Sequence, residues 1–247
     1  MKNKQKYIYP LIAWIVVLVI WEITVRIFAI SPIILVPPSQ IGPVIIDSFS
    51  VIYQQLSFTF YEVIIGWSLG TLVAFLVAVS CFSFKSLANL LTLAAVIVSA
   101  VPLIALAAIL GGFLGTGQNT KTLLVAILCF FPMLIVSLSS FTRIERSYLN
   151  LFRTYQASWS QRFLKLILPQ SLPALLNTMK INTVTALTTA IVSEFFGAHG
   201  GIGQFILSRK GFYDLPMVWA AIFYLIIATS IFYLIMNMLQ KFYSHWH

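Results

Sequence analysis

The chain has 247 residues, of which 60% are hydrophobic and 9% are charged, and its mean hydropathy is +0.96. A soluble domain carries about 25% charged residues, so this composition excludes an ordinary water-soluble protein and favours one that lies in a lipid bilayer. Lys and Arg number 15 against 6 Asp and Glu, which gives a formal charge of +9. The basic residues lie between apolar runs and not among stacking aromatic side chains, so the excess indicates membrane topology and contact with anionic lipid, and no nucleic-acid partner.

A helix that crosses a membrane needs about 20 mostly apolar residues. Six runs in the sequence reach that length, which predicts an all-α, polytopic membrane protein with six transmembrane helices in a single transmembrane domain, residues 1–247. The basic N-terminus precedes a run that is too long for a cleaved signal peptide and has no small-residue cleavage site, so we interpret it as a retained first span. The six runs are approximately 9–29, 58–82, 87–112, 122–141, 172–193 and 217–239.

The distribution of basic residues between these runs predicts the orientation of the protein. The side that carries the excess is cytoplasmic by the positive-inside rule, so we expect both termini in the cytoplasm. The external side then carries Lys121, Arg209 and Lys210, and the cytoplasmic side carries Lys2, Lys4, Lys6, Lys85, Arg143, Arg146, Arg153, Arg162, Lys165 and Lys241. Segment 30–57 is external, and segment 142–171 is the longest basic cytoplasmic connection, where a soluble partner would dock.

Apolar residues repeat at helical spacing within this cytoplasmic connection. The repeat predicts one amphipathic helix, or two short helices, with basic and polar residues on the opposite face. By composition alone, such a segment also fits a helix that rests on the membrane surface with its bases near the lipid headgroups. Leu168-Pro169 is expected to end the pattern. The apolar face consists of Leu149, Phe152, Trp159, Phe163 and Leu166, interrupted by Gln156, and the polar face of Asn150, Arg153, Gln161, Arg162 and Lys165.

The fifth run carries a polar stripe at helical spacing. Polar side chains on one face of a span are expected to face the bundle interior or a water-filled cavity, which predicts that this stripe lines a translocation pathway. The alternative is that the hydroxyl groups donate to carbonyl groups of their own helix and allow close packing of neighbouring helices. The stripe starts at Thr178, and its predicted pathway residues are Asn182, Thr185, Thr189 and Ser193.

Several charged residues lie inside or beside the predicted spans. Glu22 and Arg26 are four residues apart on the first span, and we expect a structural ion pair. Glu62 begins the second span and is expected to reach external water. Glu194 ends the fifth run before a glycine-rich turn. We favour a structural role in which its carboxylate caps loop 197–203. The alternatives are that it contacts the basic residues that follow or a docked partner.

The end of the cytoplasmic connection carries the first recognisable motif. Gln161, Phe163 and Lys165 precede Leu168-Pro169, and this run resembles the cytoplasmic coupling loop of ABC importer permeases. The signature of that loop is Glu-Ala-Ala, three residues, Gly, nine residues and Ile-x-Leu-Pro. Its Glu position falls on Asn150 and its Gly position on Gln156, so both residues are missing here.

Two further stretches are similar to the nitrate/sulfonate/taurine-type branch of the same family. One is AIVSEFFGAHGGIGQFIL, 190–207, and the other is the last span, 217–241. The three stretches occur in the family's order and spacing over nearly the whole chain, which identifies the protein as a member of the family. The matching residues of the two stretches are Glu194, Phe195, Gly201 and Gly203 in the first, and Trp219, Ala220 and Ala221 in the second.

The resemblance implies a type I ABC importer permease fold in the bacterial inner membrane and a dimer, most simply a homodimer. Its cytoplasmic loops would insert into clefts on two ABC ATPase subunits, and an extracytoplasmic solute-binding protein would deliver a small solute. The chain itself would bind no cofactor, because ATP belongs to the partner ATPase, and the sequence contains no GxxxxGK[ST] phosphate loop. The solute implied is a sulfonate such as taurine, nitrate or bicarbonate, or a vitamin or vitamin precursor.

The coupling surface toward the ATPase is expected to contain five polar and aromatic residues, with Trp159 as the anchor, since a large aromatic side chain often dominates an interface. Where the family has a glycine, Gln156 would cost about 1 kcal/mol if the left-handed turn is kept. We therefore expect the turn to shift toward Ala157-Ser158, or the two helices to run as one. The five residues are Arg153, Gln156, Trp159, Gln161 and Arg162.

Two other classes of membrane protein fit the sequence less well. A membrane-embedded vitamin-binding subunit of an energy-coupling transporter can also have six spans, but it lacks the long basic loop that ends in Leu-Pro. An intramembrane enzyme needs a buried Ser/Lys pair, two Asp residues or a His/Glu metal cluster. His199, His245 and His247 are all expected in a loop or the tail, and Cys81 and Cys129 have no metal-binding or disulfide spacing, so no catalytic or metal site is predicted.

Overall fold

The computed structural model of the chain describes residues 2–197 and 200–244, and across these residues every regular element is helical. Three helices, α3 (Phe49–Cys81), α6 (Gln118–Thr142) and α11 (Leu215–Ser244), are long and apolar enough to cross a membrane. A fourth candidate span is the bent pair of α4 (Lys85–Ser99) and α5 (Leu103–Leu114). The protein is therefore a multi-pass, all-α membrane protein. The helices are α1 Lys2–Ile27, α2 Pro38–Asp47, α3 Phe49–Cys81, α4 Lys85–Ser99, α5 Leu103–Leu114, α6 Gln118–Thr142, α7 Arg146–Thr154, α8 Trp159–Arg162, α9 Leu168–Glu194, α10 Ile202–Gly211 and α11 Leu215–Ser244.

The third predicted run, 87–112, is not one straight helix. It divides into α4 and α5, whose axes meet at 91° across a short break. Pro102 lies at this break and precedes the first residue of α5, with a ψ of 129°. Proline has no N–H group to donate and disfavours helical geometry in the residue before it, so the helix ends here and restarts in a new direction. The run 87–112, which was predicted as one span, is therefore a bent pair of helices.

The α3–α6 contact lies at the centre of the bundle and depends on two glycines of α3. A Cβ atom at Gly66 would meet the side chain of Val125 and the carbonyl oxygen of Thr122, and one at Gly70 would meet the backbone of Ala126. Neither position has room for a side chain, so the two backbones touch directly. Small residues four apart are a known device for close packing of membrane helices. The Gly66-x-x-x-Gly70 spacing is the sequence signal for this contact.

The buried apolar residues form two clusters, one toward each end of the bundle. One cluster lies at the end that the distribution of basic residues predicts to be external, which we call the external end, and joins Ile52, Val63, Val125 and Ala186 with residues of α10 and α11. The other lies at the opposite end, which we call the cytoplasmic end after the same prediction, and joins residues of α3, α4 and α6, together with Phe163, with the start of α9. Many large apolar side chains on the outside of α1, α3 and α11 are exposed, as expected of surfaces that contact lipid.

The charged pair of the first helix is structural, as predicted. Arg26 Nε donates to Glu22 Oε1 at 2.5 Å. Glu22 Oε2 also accepts from the backbone N–H of Ser39 at 3.0 Å, and Glu22 Oε1 accepts from its hydroxyl group at 2.8 Å. Ser39 lies in the first turn of α2, whose N–H groups have no partner within the helix. The Glu22 carboxylate therefore caps α2 and fixes it to α1.

Candidate functional site

The cytoplasmic connection folds as two short helices joined by a tight turn. Helix α7 ends at Thr154, and Gln156 then takes a φ of +51°. The N–H of Gln156 donates to the carbonyl of Arg153 at 2.9 Å, and the N–H of Ala157 donates to that of Phe152 at 3.0 Å. These two bonds form a Schellman motif, which normally has glycine where Gln156 lies. The expectation that the turn shifts or disappears is wrong, because these hydrogen bonds hold the turn at Gln156.

The next helix, α8, begins with a complete capping box. The N–H of Ser158 donates to Gln161 Oε1 at 2.9 Å, and the N–H of Gln161 donates to Ser158 Oγ at 3.3 Å. Such reciprocal bonds satisfy N–H groups that the helix itself leaves without partners. Gln161 is exposed, but its side chain already has this local partner. The capping box fixes the direction in which α8 leaves the Gln156 turn.

Trp159 is held by aromatic packing and one hydrogen bond. Its indole ring stacks on Phe163, with ring centroids 5.5 Å apart and an angle of 6° between the planes, and it also contacts Phe82. Its Nε1 donates to Ser83 Oγ at 3.1 Å. The residue remains 45% exposed, so one side of the indole is buried and the other is free. Sequence reasoning missed Phe82 and Ser83, which lie in the α3–α4 turn, far away in the chain.

The other predicted coupling residues lie around the same turn. Arg153 and Gln156 are exposed, while Arg162 is half-buried and its Nε has no hydrogen-bond partner among the described residues. The structure thus brings all five predicted residues into one helix–turn–helix unit. Sequence reasoning missed the exposed apolar side of this unit, although its spacing of three and four residues was readable. That side carries Tyr148, Leu151 and Tyr155, which are 46%, 51% and 78% exposed.

This helix–turn–helix unit, residues 146–162, which we call the coupling unit after its predicted role, is continuous with α9. Helix α8 passes through a π-helical turn, Phe163–Ile167, directly into α9. In this turn the N–H of Leu168 donates to the carbonyl of Phe163 five residues earlier. Pro169 has no N–H for the usual helical bond, and a wider turn is one way for a helix to accommodate it. The helix does not end at Leu168-Pro169 as predicted, so α8 and α9 form one connected element.

The polar stripe of α9 is buried against α6 in the single chain. The hydroxyl groups of Thr178, Thr189 and Ser193 donate to carbonyl oxygens of α9 itself, at 2.7–2.9 Å. Asn182 is 1% exposed and its Nδ2 donates to the carbonyl of Cys129 on α6 at 2.9 Å. Thr185 is half-buried and offers its carbonyl to Thr189. These are the contacts expected when small polar residues hold two helices together.

At the external end of α9, Glu194 caps the glycine-rich turn, as predicted. Its Oε1 accepts from Thr59 Oγ1 at 2.6 Å and its Oε2 accepts from the N–H of Gly203 at 2.5 Å. Thr59 Oγ1 in turn accepts from the N–H of Ile202 at 2.9 Å. Gly201 has a φ of +107°, and a Cβ atom there would overlap the Glu194 carboxylate, so only glycine fits. This hydrogen-bonded cap joins α3, α9 and α10.

Among the remaining charged residues, Glu62 departs from expectation and Arg209 does not. Glu62 is 2% exposed and does not reach open water, because the turn after α9 and helix α6 cover it. Arg209 pairs with Asp214 at 3.6 Å and makes no contact with Glu194. The histidines discussed above, His199, His245 and His247, lie outside the described residues.

Curated proteins with similar sequences are permeases. The chain is 30% identical to the formylaminopyrimidine transport permease protein ThiX of Halalkalibacterium halodurans over 226 residues, which covers 91% of this chain and 90% of that protein. It is 23% identical to the taurine transport system permease protein TauC of Escherichia coli, with 94% and 87% of the two chains covered. A putative aliphatic sulfonates permease, SsuC of Bacillus subtilis, is 22% identical, with 84% and 76% covered.

A solved structure has the same fold. The permease chain of the inward-facing MetNI methionine ABC transporter superimposes with a TM-score of 0.66 at 19% identity, covering 82% of this chain and 98% of that one. Residues 69–245 also match the model of the family described as binding-protein-dependent transport system inner membrane component. Permeases of this family work with an ABC ATPase and a binding protein, and they are not enzymes. The chain thus belongs to the binding-protein-dependent transport system inner membrane component family, and is a multi-pass permease subunit of an ABC importer.

Proposed function

We propose that two copies of this chain, each a single transmembrane domain with six spans, form the translocation path of the importer, with both termini in the cytoplasm. Four spans follow from length and composition when the bent pair α4–α5 counts as one span, and we assign the other two to α1 and α9. Helix α9 is less apolar because it carries Asn177, Lys180 and Asn182, of which Asn182 is buried and Lys180 is half-buried against other helices. Lys180 illustrates this, since its Nζ donates to Gln240 on α11 at 2.6 Å.

The orientation rests on the basic residues of the coupling unit and can be tested directly. A cysteine in place of Ser147, which is exposed, should be labelled by a membrane-impermeant maleimide only when the cytoplasmic face is open. A cysteine in place of Tyr213, exposed at the opposite end of the bundle, is the control and should be labelled in intact cells. Labelling of the Ser147 position in intact cells would reverse the proposed topology.

The coupling unit supports the proposal that this chain receives the movement that ATP hydrolysis causes in the partner ATPase. Its outer side presents exposed aromatic and aliphatic side chains, including Tyr148 and Tyr155, next to Arg153 and the free side of Trp159. An aromatic patch with an arginine is the composition of a protein interface and is costly to leave in water. Because α8 continues into α9, a movement of this unit is transmitted to a helix that runs through the bundle.

The test is the ATP turnover of the assembled importer in lipid vesicles. Trp159→Ala removes the stacked anchor and should abolish solute-stimulated ATP turnover while the permease stays inserted, because the coupling unit loses its fixed position. Trp159→Phe keeps the stack on Phe163 and should retain part of the turnover. Phe212→Ala, which removes an exposed aromatic side chain at the external end, is the matched control. Unchanged turnover in Trp159→Ala would remove this residue from the coupling role.

The polar stripe of α9 remains the proposed pathway lining, with Asn182, Thr185, Thr189 and Ser193 as its residues. In the single chain these side chains contact α6 or their own helix. The proposal therefore applies to states of the transport cycle in which α9 separates from α6 and exposes the stripe. Thr185 is half-buried, so it would be exposed first.

For the solute we propose a small polar compound of the kinds that name the relatives. The 30% identity to a formylaminopyrimidine permease over most of both chains supports a vitamin precursor, and the sulfonate and taurine permeases at 21–23% identity support an aminosulfonate or sulfonate as the second candidate. A thermal-shift screen of the cognate binding protein with these compounds separates the two, since a ligand raises the unfolding midpoint of the protein that binds it.

A further inference from the structure

Three basic residues lie at the cytoplasmic end of the bundle, each in a different segment of the chain. Lys85 is the first residue of α4, Arg143 follows the last residue of α6, and Lys165 lies in the π-helical turn before α9. All three are exposed. Each therefore lies within one helical turn of the end of a bundle helix, which is the depth of the lipid headgroups for a helix that spans the membrane.

The aromatic residues of this end bring the three bases together. Phe82, Phe141 and Phe163 each precede one of the bases by two or three residues in the chain. The centroids of these three rings are 5.5–5.7 Å apart in every pair. The bases therefore lie around one aromatic cluster, although they come from three segments of the chain, and we call them the basic patch.

No carboxylate neutralises the basic patch within the part of the chain that the structure describes. The ion pairs there involve Arg26 and Arg209, so each base of the patch is more than 4.0 Å from any described carboxylate. Of the six acidic residues in the sequence, Glu145 lies at this end, where it is exposed and accepts from Ser147 at 2.7 Å. The patch therefore keeps a net positive charge, which attracts an anionic partner.

Large apolar side chains are exposed directly beside two of the bases. Phe84 precedes Lys85 and is 67% exposed, and Leu164 precedes Lys165 and is 60% exposed. Exposed apolar side chains next to unpaired bases are typical of a surface at the boundary between lipid headgroups and acyl chains. Trp159, which is also partly exposed in this cluster, is a residue type enriched at the same depth.

The position of the patch favours a lipid over the ATPase as its partner. The bases lie at the ends of bundle helices, whereas the exposed aromatic side chains proposed to meet the ATPase lie on α7 and in the turn that follows it. We propose that the basic patch binds the phosphate group of an anionic phospholipid of the cytoplasmic leaflet, with Phe84 and Leu164 against its acyl chains. Lysine and arginine bind phosphate through charge-assisted hydrogen bonds. The lipid would tie the π-helical turn, and with it the coupling unit, to the ends of α4 and α6.

The experiment titrates the purified permease in detergent with phosphatidylglycerol or phosphatidylcholine that carry the same oleoyl chains, and native mass spectrometry counts the bound lipids. Phosphatidylglycerol should bind roughly tenfold or more tightly, because each base near a headgroup adds to the attraction for a lipid with net negative charge. The preference should shrink as the ammonium acetate concentration rises, since salt screens exposed charges. Neither the ATPase nor the solute is present, so the result does not depend on the proposed function.

Three variants locate the binding site. Lys85→Gln/Lys165→Gln should weaken phosphatidylglycerol binding by roughly tenfold or more and leave phosphatidylcholine binding unchanged. Lys210→Gln/Lys241→Gln is the matched control, because it removes two other exposed positive charges, one at each end of the bundle, and it should keep the preference. Phe84→Ser should weaken the binding of both lipids alike, because it removes an apolar contact without changing the charge. All these positions are exposed, so the substitutions leave the fold intact.

Several results would overturn the proposal. Equal affinities of the wild-type chain for the two lipids would show that the patch does not select an anionic headgroup. An equal loss in the control variant would show that overall charge, and not this patch, attracts the lipid. Displacement of phosphatidylglycerol by glycerol phosphate would indicate a site for a soluble phosphate. Release of phosphatidylglycerol on addition of the ATPase subunit would assign the patch to the protein interface.

Discussion

The two ends of the bundle are held together by different chemistry. At the cytoplasmic end, Phe82 and Phe163 pack against Trp159 and against Phe141, with ring centroids 5.5–5.8 Å apart. At the external end, buried polar groups of α3 and α9 bind the backbone of the glycine-rich turn. Aromatic packing is not directional and tolerates small shifts, whereas a buried hydrogen-bond network tolerates almost none.

This difference suits the two tasks proposed for the two ends. The coupling unit has to remain ordered while a partner pushes on it, and stacked rings can slide while they stay in contact. The external turn has to keep one shape, because Gly201 has a positive φ and no side chain fits beside Glu194. We therefore expect substitutions that conserve apolar volume to be tolerated only at the cytoplasmic end, and loss of a polar partner to be most harmful at the external end.

The largest effect is expected at the external end. Glu194→Ala leaves the N–H of Gly203 and the hydroxyl of Thr59 without their acceptor, and each buried group left unpaired costs about 1–3 kcal/mol. The free energy of unfolding, measured by denaturation in mixed micelles, should fall by about 4 kcal/mol. Glu145→Ala, at an exposed carboxylate, should change it by less than about 0.5 kcal/mol. A loss no greater in Glu194→Ala than in this control would contradict the network.

A smaller effect is expected when the aromatic cluster is altered. Phe82→Leu keeps most of the apolar volume but loses ring contacts to Phe141, Trp159 and Phe163, each worth about 0.5–1.5 kcal/mol. The free energy of unfolding should fall by about 2 kcal/mol in the same assay. Phe113→Leu is the matched control, because Phe113 is 85% exposed. If Phe82→Leu were as damaging as Glu194→Ala, the contrast between the two ends would be lost.

The smallest expected effect has the opposite sign. Gln156→Gly places the residue without a Cβ atom at the left-handed position of the turn, which should raise the free energy of unfolding by about 0.5–1 kcal/mol. Tyr155→Gly is the control, since Tyr155 has an ordinary φ of −79° and should lose about the same amount. A destabilised Gln156→Gly would mean that the glutamine side chain makes a contribution that outweighs the backbone strain.

Much of the outline could be predicted from the sequence. The apolar runs predicted a multi-pass helical membrane protein, and the Leu168-Pro169 motif together with the 190–207 stretch indicated the ABC permease family, which the comparisons confirm. The i, i+4 spacing also predicted the Glu22–Arg26 pair correctly. These predictions succeed because bilayer thickness and helical period act on each segment separately, without any knowledge of its neighbours.

Other features depend on residues that are distant in the chain. Glu62 was expected in water but is covered by the turn after α9, and Trp159 is anchored by Ser83, 76 residues earlier. The turn at Gln156 also kept its left-handed shape against local preference, because neighbouring hydrogen bonds and packing fix it. Local rules fail at these positions because burial and pairing are properties of the assembled bundle.

The sequence by itself thus determined the solvent in which this protein folds, the segments that become helices and the family to which it belongs. Only the tertiary structure decided that Pro102 bends the third run by 91°, that α8 continues into α9, and that Glu62 and Glu194 are buried at the external end. Hydrophobicity and helical periodicity are properties of contiguous residues. The direction of a helix after a break and the partners of a buried charge depend instead on which helices pack against one another.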